Sequence, residues 1–595
     1  YEMRGFTIRK LSWPLAFSVG GIAAGYLLAM PVAVAQSGAA AGTLDEIVVT
    51  SRRREENLQE VPDSIVALNA DLINRANINM VRDVTARIPN VSIEESLSPT
   101  STFIGVRGIV STRNGEPAVA VVVDGVQIGS ATEVSRAFHD VERIEVLKGP
   151  QGALYGRNAI GGAILVTTKQ ATDEISGRVR AGVGNSDFYE FDGAVAGPIS
   201  DNWSFRLSGN FRDFGGTITN EYIKELARGA ATSSAGDFGD DDLAYTDFET
   251  NKDLRARLTW QPNDIASVSL DVSHSDLETG AYWYAPIVRL NDSTVSFPIG
   301  NDVNSVAFRT ITNAWLKVDV DMDFATLTSL SSYTETDERY GVPYEGRGSN
   351  QMGDVDFYNT TFVNRVLPTL SASDQALLDS ALQGVGSHNF YAVENFQQEF
   401  RLVSPSDQRL RWVGGLFLLT TERADTIRAD LVVPPSPPLE SRQANGLPGV
   451  TDAFLGGTTS GLIFETSNTQ DNTAWAVFLN LDFDLTDNLT LTAAIRYDED
   501  ERDITRLDGP TINTGGNGIG SSVFGAECTI GVAGCLARGT VESDSWNAWQ
   551  PKVSLAWQAT DDALLYGTYA RGFRSGGFNA AGATLADRYR EEIVD

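Results

Sequence analysis

Three histidines, His139, His274 and His388, lie scattered through 595 residues, and two cysteines, Cys528 and Cys535, share a polar Gly-rich stretch. Nucleophilic catalysis needs a nucleophile within hydrogen-bond reach of a base that is itself held by a third group. A zinc centre needs three or four converging His, Cys or carboxylate ligands. Neither can be built from so sparse a set, so no catalytic residue, no metal ligand and no cofactor is expected. Local imitations fail on spacing. Asp237-Phe238-Gly239 has the order of a kinase metal motif without a nucleotide loop or catalytic partner. The acidic runs Asp240 to Asp242 and Asp498 to Asp503 lack EF-hand spacing and read as loop tips. No Gly-Lys-Ser/Thr follows Lys148-Gly149-Pro150-Gln151-Gly152, so it is not a phosphate loop. The cysteines either close a small-loop disulfide, worth about 2–3 kcal/mol on a chain-entropy estimate, or stay free thiols.

With chemistry set aside, binding and transport remain. A formal charge of -32 argues against a nucleic-acid partner, which needs a basic footprint. The 56 glycines and abundant Asn, Asp, Ser and Thr suit many short strands joined by turns. At the N-terminus Arg4, Arg9 and Lys10 precede an apolar run from Leu15 to Met30, and Ala33-Val34-Ala35 forms an A-x-A site ahead of Gln36. Residues 1–35 are therefore expected to be a cleavable secretion signal. The glycines at 20, 21 and 25 and Pro31 weaken a transmembrane anchor, and no other apolar span approaches about 20 residues.

A linker over 36–54 carries Asp45-Glu46-Ile47-Val48-Val49-Thr50, a short β-prone peptide with polar flanks, followed by Ser51-Arg52-Arg53-Arg54. It is either the leading edge strand of the next domain or a strand offered to the sheet edge of a partner. Residues 55–172 read as a compact α/β domain with short strands, two helical pieces between Ala70 and Ile88, and tight turns at Asp124-Gly125, Lys148 to Gly152 and Tyr155 to Asn158. From residue 175 to 595 period-2 alternation takes over: Trp203, Phe205, Leu207 and Phe211 alternate with Ser204, Arg206, Ser208 and Asn210. Strands come in pairs. Short turns near 198–202, 261–264, 320–323, 405–408, 485–488 and 558–562 alternate with long connections over 213–250, 276–308, 336–394, 422–471 and 501–546. That asymmetry marks an antiparallel transmembrane β-barrel with tight turns at one rim and long loops at the other. Trp203, Trp260, Trp412 and Trp557 lie close to short turns and are expected to form one interfacial ring. About thirteen strands can be counted, the last near Ala563 to Phe573; closure of a barrel then calls for further C-terminal strands.

Val141-Glu142-Arg143-Ile144-Glu145-Val146-Leu147-Lys148-Gly149-Pro150-Gln151-Gly152-Ala153-Leu154-Tyr155-Gly156-Arg157-Asn158-Ala159-Ile160-Gly161-Gly162-Ala163-Ile164 resembles the plug signature of TonB-dependent outer-membrane receptors. Val106-Arg107-Gly108 and Val121-Val122-Val123-Asp124-Gly125-Val126 resemble it too, and Asp45 to Thr50 looks like the TonB box. Ala194 to Pro198 and Asn395 to Val403 look like early barrel strands of the same family. The resemblance implies a 22-stranded barrel filled by the plug, so about thirteen of its strands are present here. It implies energisation by TonB with ExbB and ExbD, and uptake of a small or medium-sized ligand such as an iron chelate, with cobalamin, oligosaccharide or a passive porin-like role as alternatives. It further implies an electrostatic lock between plug and wall, drawn from Arg107, Glu142, Arg143, Glu145 and Arg157 on the plug and Glu399 on a barrel strand.

Overall fold

The computed structural model describes residues 48–85, 87–95, 102–111, 117–134, 139–218, 245–280, 306–343, 384–432, 460–508, 539–560, 563–578 and 588–595. The expected signal segment, residues Asp45, Glu46 and Ile47, and both cysteines lie outside these residues.

The described chain opens with a hairpin of β1 (Val48–Val49) and β2 (Glu56–Asn57), in the register Val48↔Asn57 and Val49↔Glu56. Next come β3 (Ile65–Asn69), α1 (Ala70–Arg75) and α2 (Val81–Val84). The Asn69 side chain caps α1 by accepting from the Leu72 N–H at 2.9 Å. A small antiparallel sheet follows, of β4 (Val91–Glu95), β5 (Thr102–Val106) and β6 (Ile109–Val110). Then come β7 (Val119–Val123), β8 (Val126–Gln127), α3 (Ala131–Val134), β9 (Val141–Lys148), α4 (Gly152–Tyr155) and β10 (Gly162–Thr168). These build a five-stranded mixed sheet in the order β3-β9-β10-β7-β8, in which β7 and β10 are parallel.

Both faces of this sheet are covered, which explains the near-continuous apolar runs of its central strands. On one face Val121, Ile144, Val146 and Ile164 pack with Ile73, Val81, Val84 and Ile88. On the other Leu147, Ala163 and Leu165 pack with Leu154 and Tyr155 of α4. Alternation along β9 puts Glu145 on this second face, where it is fully buried.

Thirteen strands then form one antiparallel sheet in sequence order. They are β11 (Ser176–Gly184), β12 (Phe188–Ser200), β13 (Trp203–Phe214), β14 (Glu249–Asn263), β15 (Ala266–Gly280), β16 (Val306–Asp321), β17 (Thr326–Pro343), β18 (Gly384–Val403), β19 (Leu410–Val432), β20 (Ser460–Thr486), β21 (Leu489–Asp508), β22 (Val541–Thr560) and β23 (Ala563–Ala570). The expected period-2 division is present. On β20 Trp475, Val477, Leu479 and Phe483 are exposed, while Ala476, Phe478, Asn480 and Asp482 are buried. Trp203 and Trp260 stand opposite each other across β13 and β14, their rings stacked at 5.6 Å.

Three details differ from the sequence reading. The acidic run Asp498 to Asp503 is not a loop tip: it lies within β21, where Asp498 and Asp500 are buried and paired with Arg496 and Arg502 of the same strand. The connection between β11 and β12 is a tight turn at the otherwise long-loop rim, made by Ser186 and Asp187 in left-handed backbone (φ 58° and 50°). The last strand of the sheet stops at Ala570. Beyond it β24 (Gly572–Arg574) leaves the wall, pairs with β27 (Glu592–Val594), and buries Phe573 completely. Its neighbours β25 (Gly577–Phe578) and β26 (Arg588–Tyr589) form a second short pair. The Phe573 carbonyl accepts from the Asn158 N–H of the α/β domain at 3.0 Å.

Candidate functional site: the turn after the box, the plug signature and the wall

Thr50 to Arg54, in the turn between β1 and β2, are met by the α/β domain on one side and by the barrel wall on the other. Thr50 is bound by Glu145: the carboxylate accepts from the Thr50 main-chain N–H at 2.9 and 3.1 Å and from its hydroxyl at 3.0 Å. Arg143 completes the arrangement, donating from Nε to Glu145 at 2.9 Å and from Nη2 to the Thr50 hydroxyl oxygen at 2.9 Å. At the next residue the Tyr155 hydroxyl, on α4, donates to the Ser51 carbonyl at 2.6 Å. Burial pushes this phenol well above its ordinary pKa, so it stays a donor.

The three arginines that follow turn toward the wall. Arg52 is buried and pairs with Asp482 of β20, with Thr492 of β21 at 3.3 Å and with Glu56 at 3.1 Å. Burial alone would lower its pKa, but Glu56 and Asp482 outweigh that and raise it. Arg53, in left-handed backbone at φ 66°, lays its guanidinium over the Tyr155 ring at 4.7 Å and reaches Glu399 of β18 at 3.6 Å. Arg54 is also buried. Its closest carboxylate is Asp482 at 3.9 Å, and its guanidinium hydrogen-bonds to no described residue. Burial pushes the Arg54 pKa down and the Glu56 pKa up. Two cations thus share the buried Asp482 carboxylate, an arrangement that is costly unless the geometry is closely held.

Elsewhere the α/β domain meets the wall through separate charge pairs. Asp63 accepts from Lys552 at 2.7 and 2.9 Å, and Asp140 from Arg206 at 2.5 Å. Asp124 accepts from Arg257 at 3.0 Å and also takes the Thr168 N–H at 2.8 Å, closing the Asp124-Gly125 turn. Arg157 reaches Asp500 at 2.5 Å.

The residues singled out from sequence therefore fall into groups. Of the segment read as the box, Val48 pairs with Asn57 but stays exposed, Val49 is fully buried, and Thr50 is held by Glu145. Arg143, Glu145 and Tyr155 hold the following turn, and Asp124 and Arg157 contact the wall. Gly108, Gly125, Gly149, Gly156 and Gly162 all have positive φ, and Pro150 and Gly152 lead from β9 into α4, beside Gly161 and the start of β10. The lock differs from its expected form. Glu399 is met by Arg53 and by Arg401 of its own strand, whereas Arg143 turns inward to Glu142 and Glu145, and Arg107 is exposed at the β5–β6 turn. Arg52, Arg53 and Arg54 were legible only as a polar flank. Three consecutive cations in so acidic a chain were the signal available, but their partners on the wall, Asp482 and Glu399, lie hundreds of residues away. Among the described residues no group of three or more His, Cys, Asp or Glu is placed to hold a metal ion.

Comparison with known proteins bears on the fold and the family. The profile of the TonB-dependent receptor plug domain matches residues 57–163, and that of the TonB-dependent receptor-like β-barrel matches 185–590. The vitamin B12 transporter BtuB of Photobacterium profundum is 32% identical over 163 residues, 27% of this chain and 26% of that protein. The rhizobactin receptor of Rhizobium meliloti is 28% identical over 365 residues, 55% of this chain and 45% of that protein. The chain thus spans less than half the length of these curated relatives. In fold it is similar to the ferric yersiniabactin uptake receptor FyuA from Yersinia pestis, with a TM-score of 0.65 at 18% identity over 89% of this chain and 68% of that one. With its plug and its barrel strands both matched, this chain belongs to the family of TonB-dependent receptors.

Proposed function

We propose that this protein is an outer-membrane receptor for energised uptake of a scarce, bulky nutrient, most of all a ferric siderophore. The observation that carries the reading is that Val49 and Thr50, at the end of the segment read as the box, are buried or held against the plug signature, in a plug whose charges are paired with a barrel wall. Such a plug opposes a passive porin-like role, because its charge pairs with the wall must break before solute can pass. On this reading, ligand bound at the outer loops and plug apex shifts the plug and frees the box. TonB, driven by ExbB and ExbD in the inner membrane, then adds the box to its own sheet and pulls. Catalysis has no part in this scheme, which needs only binding, release and force. The rhizobactin and yersiniabactin receptors support iron as cargo, while the match to a B12 transporter keeps cobalamin as the second reading.

Two experiments test it. Val49→Pro in the full-length receptor removes a strand N–H from the box and is expected to abolish uptake while leaving ligand binding intact; undiminished uptake refutes the role of the box. Quantitative proteomics of outer membranes from iron-replete and iron-starved cells tests the cargo. A strong rise on starvation supports ferric-siderophore import, and no rise moves the assay to limiting cobalamin and to alternative carbon sources.

A further inference from the structure

We propose that Glu145 and Tyr155 of the plug form a latch on the turn that follows the box, and that opening this latch, ahead of any wider loosening of the plug, makes the box available. The inference rests on the reading of residues 45–50 as the segment a partner engages.

Glu145 is a fully buried carboxylate in the middle of a central strand, between Ala67 of β3 and Leu165 of β10, where an apolar residue would suit the packing. Such a group is tolerated only when its oxygens are well supplied with donors. Here the donors come from Arg143 on its own strand and from two groups of Thr50, the last box residue. Tyr155 repeats the pattern one residue on: its ring packs in the plug core, and its hydroxyl meets the Ser51 carbonyl. The two anchors lie on different elements of the plug, β9 and α4, yet converge on consecutive residues of one turn. If either moves relative to the other, both hydrogen bonds cannot persist. The turn thus reads the relative position of β9 and α4, and α4 also touches the wall, since a Cβ at Gly152 would lie 1.8 Å from Gln550 Oε1 of β22. Glu145 and Tyr155 are positioning residues: they hold the chain next to the box, and neither need touch cargo.

The turn carries its own reporter. Arg52 and Arg54 are buried and Arg53 is nearly so, so trypsin cannot cut after them until the turn leaves its seat. Arg75, at the end of α1 with its side chain 75% exposed, is cut only when α1 unfolds and reports plug unfolding. The experiment is limited trypsinolysis of the full-length receptor in lipid without ligand, with cleavage at each arginine followed by mass spectrometry. Tyr155→Phe, which deletes one hydroxyl from an otherwise unchanged ring, is expected to raise cleavage at 52–54 about fivefold, in proportion to the open population. Glu145→Gln, which weakens three contacts, is expected to raise it about tenfold or more, and Thr50→Val by an intermediate factor. Cleavage after Arg75 stays at the parent rate in all three. Unchanged cleavage at 52–54 in Tyr155→Phe and Thr50→Val, or a rise matched at Arg75, overturns the latch. Binding of the purified periplasmic domain of TonB to the same variants separates the two readings. A freed turn with no gain in binding leaves the latch standing and removes the box reading.

Discussion

At the scale of single residues, buried charges carry most of what can be tested. Arg157 and Asp500 meet with side chains 5% and 1% exposed, and Arg502 also reaches Asp500 at 2.8 Å. Removing one member of a buried pair costs about 3–5 kcal/mol, and the remaining arginine places Arg157→Met at about 3 kcal/mol of plug docking. Urea-driven release of the plug, followed by hydrogen exchange, measures this; an unmoved midpoint would show that the pair contributes nothing net. His139 gives a pH dependence. Neither of its ring nitrogens bonds to a described residue, and it lines a small cavity with Asn79, Arg180, Glu190, Asp192 and Arg212. Burial lowers its pKa below the ordinary 6.5, aided by Arg255 and opposed by Asp253, Asp140 and Asp192. Below pH 6.5 an undocked His139 takes up a proton that the docked one resists, so docking weakens as pH falls through this value and levels off below the docked pKa. Plug protection is expected to be lower at about pH 5.5 than at about pH 7.5 in the parent, with the difference reduced in His139→Gln.

At the scale of elements, backbone contacts decide which substitutions the plug accepts. Gly162 opens β10 at φ 151°, and an added Cβ would sit 2.2 Å from the Leu147 carbonyl oxygen of β9. A backbone atom in a paired strand cannot yield, so Gly162→Ala is expected to cost more than about 3 kcal/mol and to abolish plug protection while the barrel sheet stays folded. Gly161→Ala, whose closest neighbours are side-chain carbons at 3.3 Å, is the milder control. Much at this scale could be read from sequence: two helical pieces are expected between Ala70 and Ile88, where α1 and α2 lie, and tight turns at Asp124-Gly125 and Tyr155 to Asn158. The hairpin of β1 and β2 was not foreseen, since a two-residue strand leaves too short a pattern and its second strand, Glu56–Asn57, is polar.

At the scale of the whole molecule, the thirteen-stranded sheet divides its side chains between two solvents. Val477 lies on the outward face of β20, flanked there by Trp475 and Leu479, while its neighbour Phe478 is buried. An arginine on a lipid-facing site costs about 2–4 kcal/mol at mid-membrane and about 0–1 kcal/mol near the interfaces, so Val477→Arg, two residues from the Trp475–Tyr497–Trp549 aromatic cluster, is expected to lower folding stability in bilayers by about 1–2 kcal/mol. Titration with urea in vesicles tests it, and full tolerance would argue that this face does not meet hydrocarbon.

The sequence by itself determined the strand pattern, the number of strands in the sheet and the plug signature, because alternation and turn chemistry are local and repeat every few residues. Only the tertiary structure decided which charges meet. Arg52 and Asp482 are 430 residues apart, and Arg157 and Asp500 are 343 apart. Their pairing depends on strand register and on how the plug is rotated against the wall, and neither leaves a trace in local composition. For that reason Glu399 was found as a wall carboxylate, while its partner Arg53 was hidden in a polar flank.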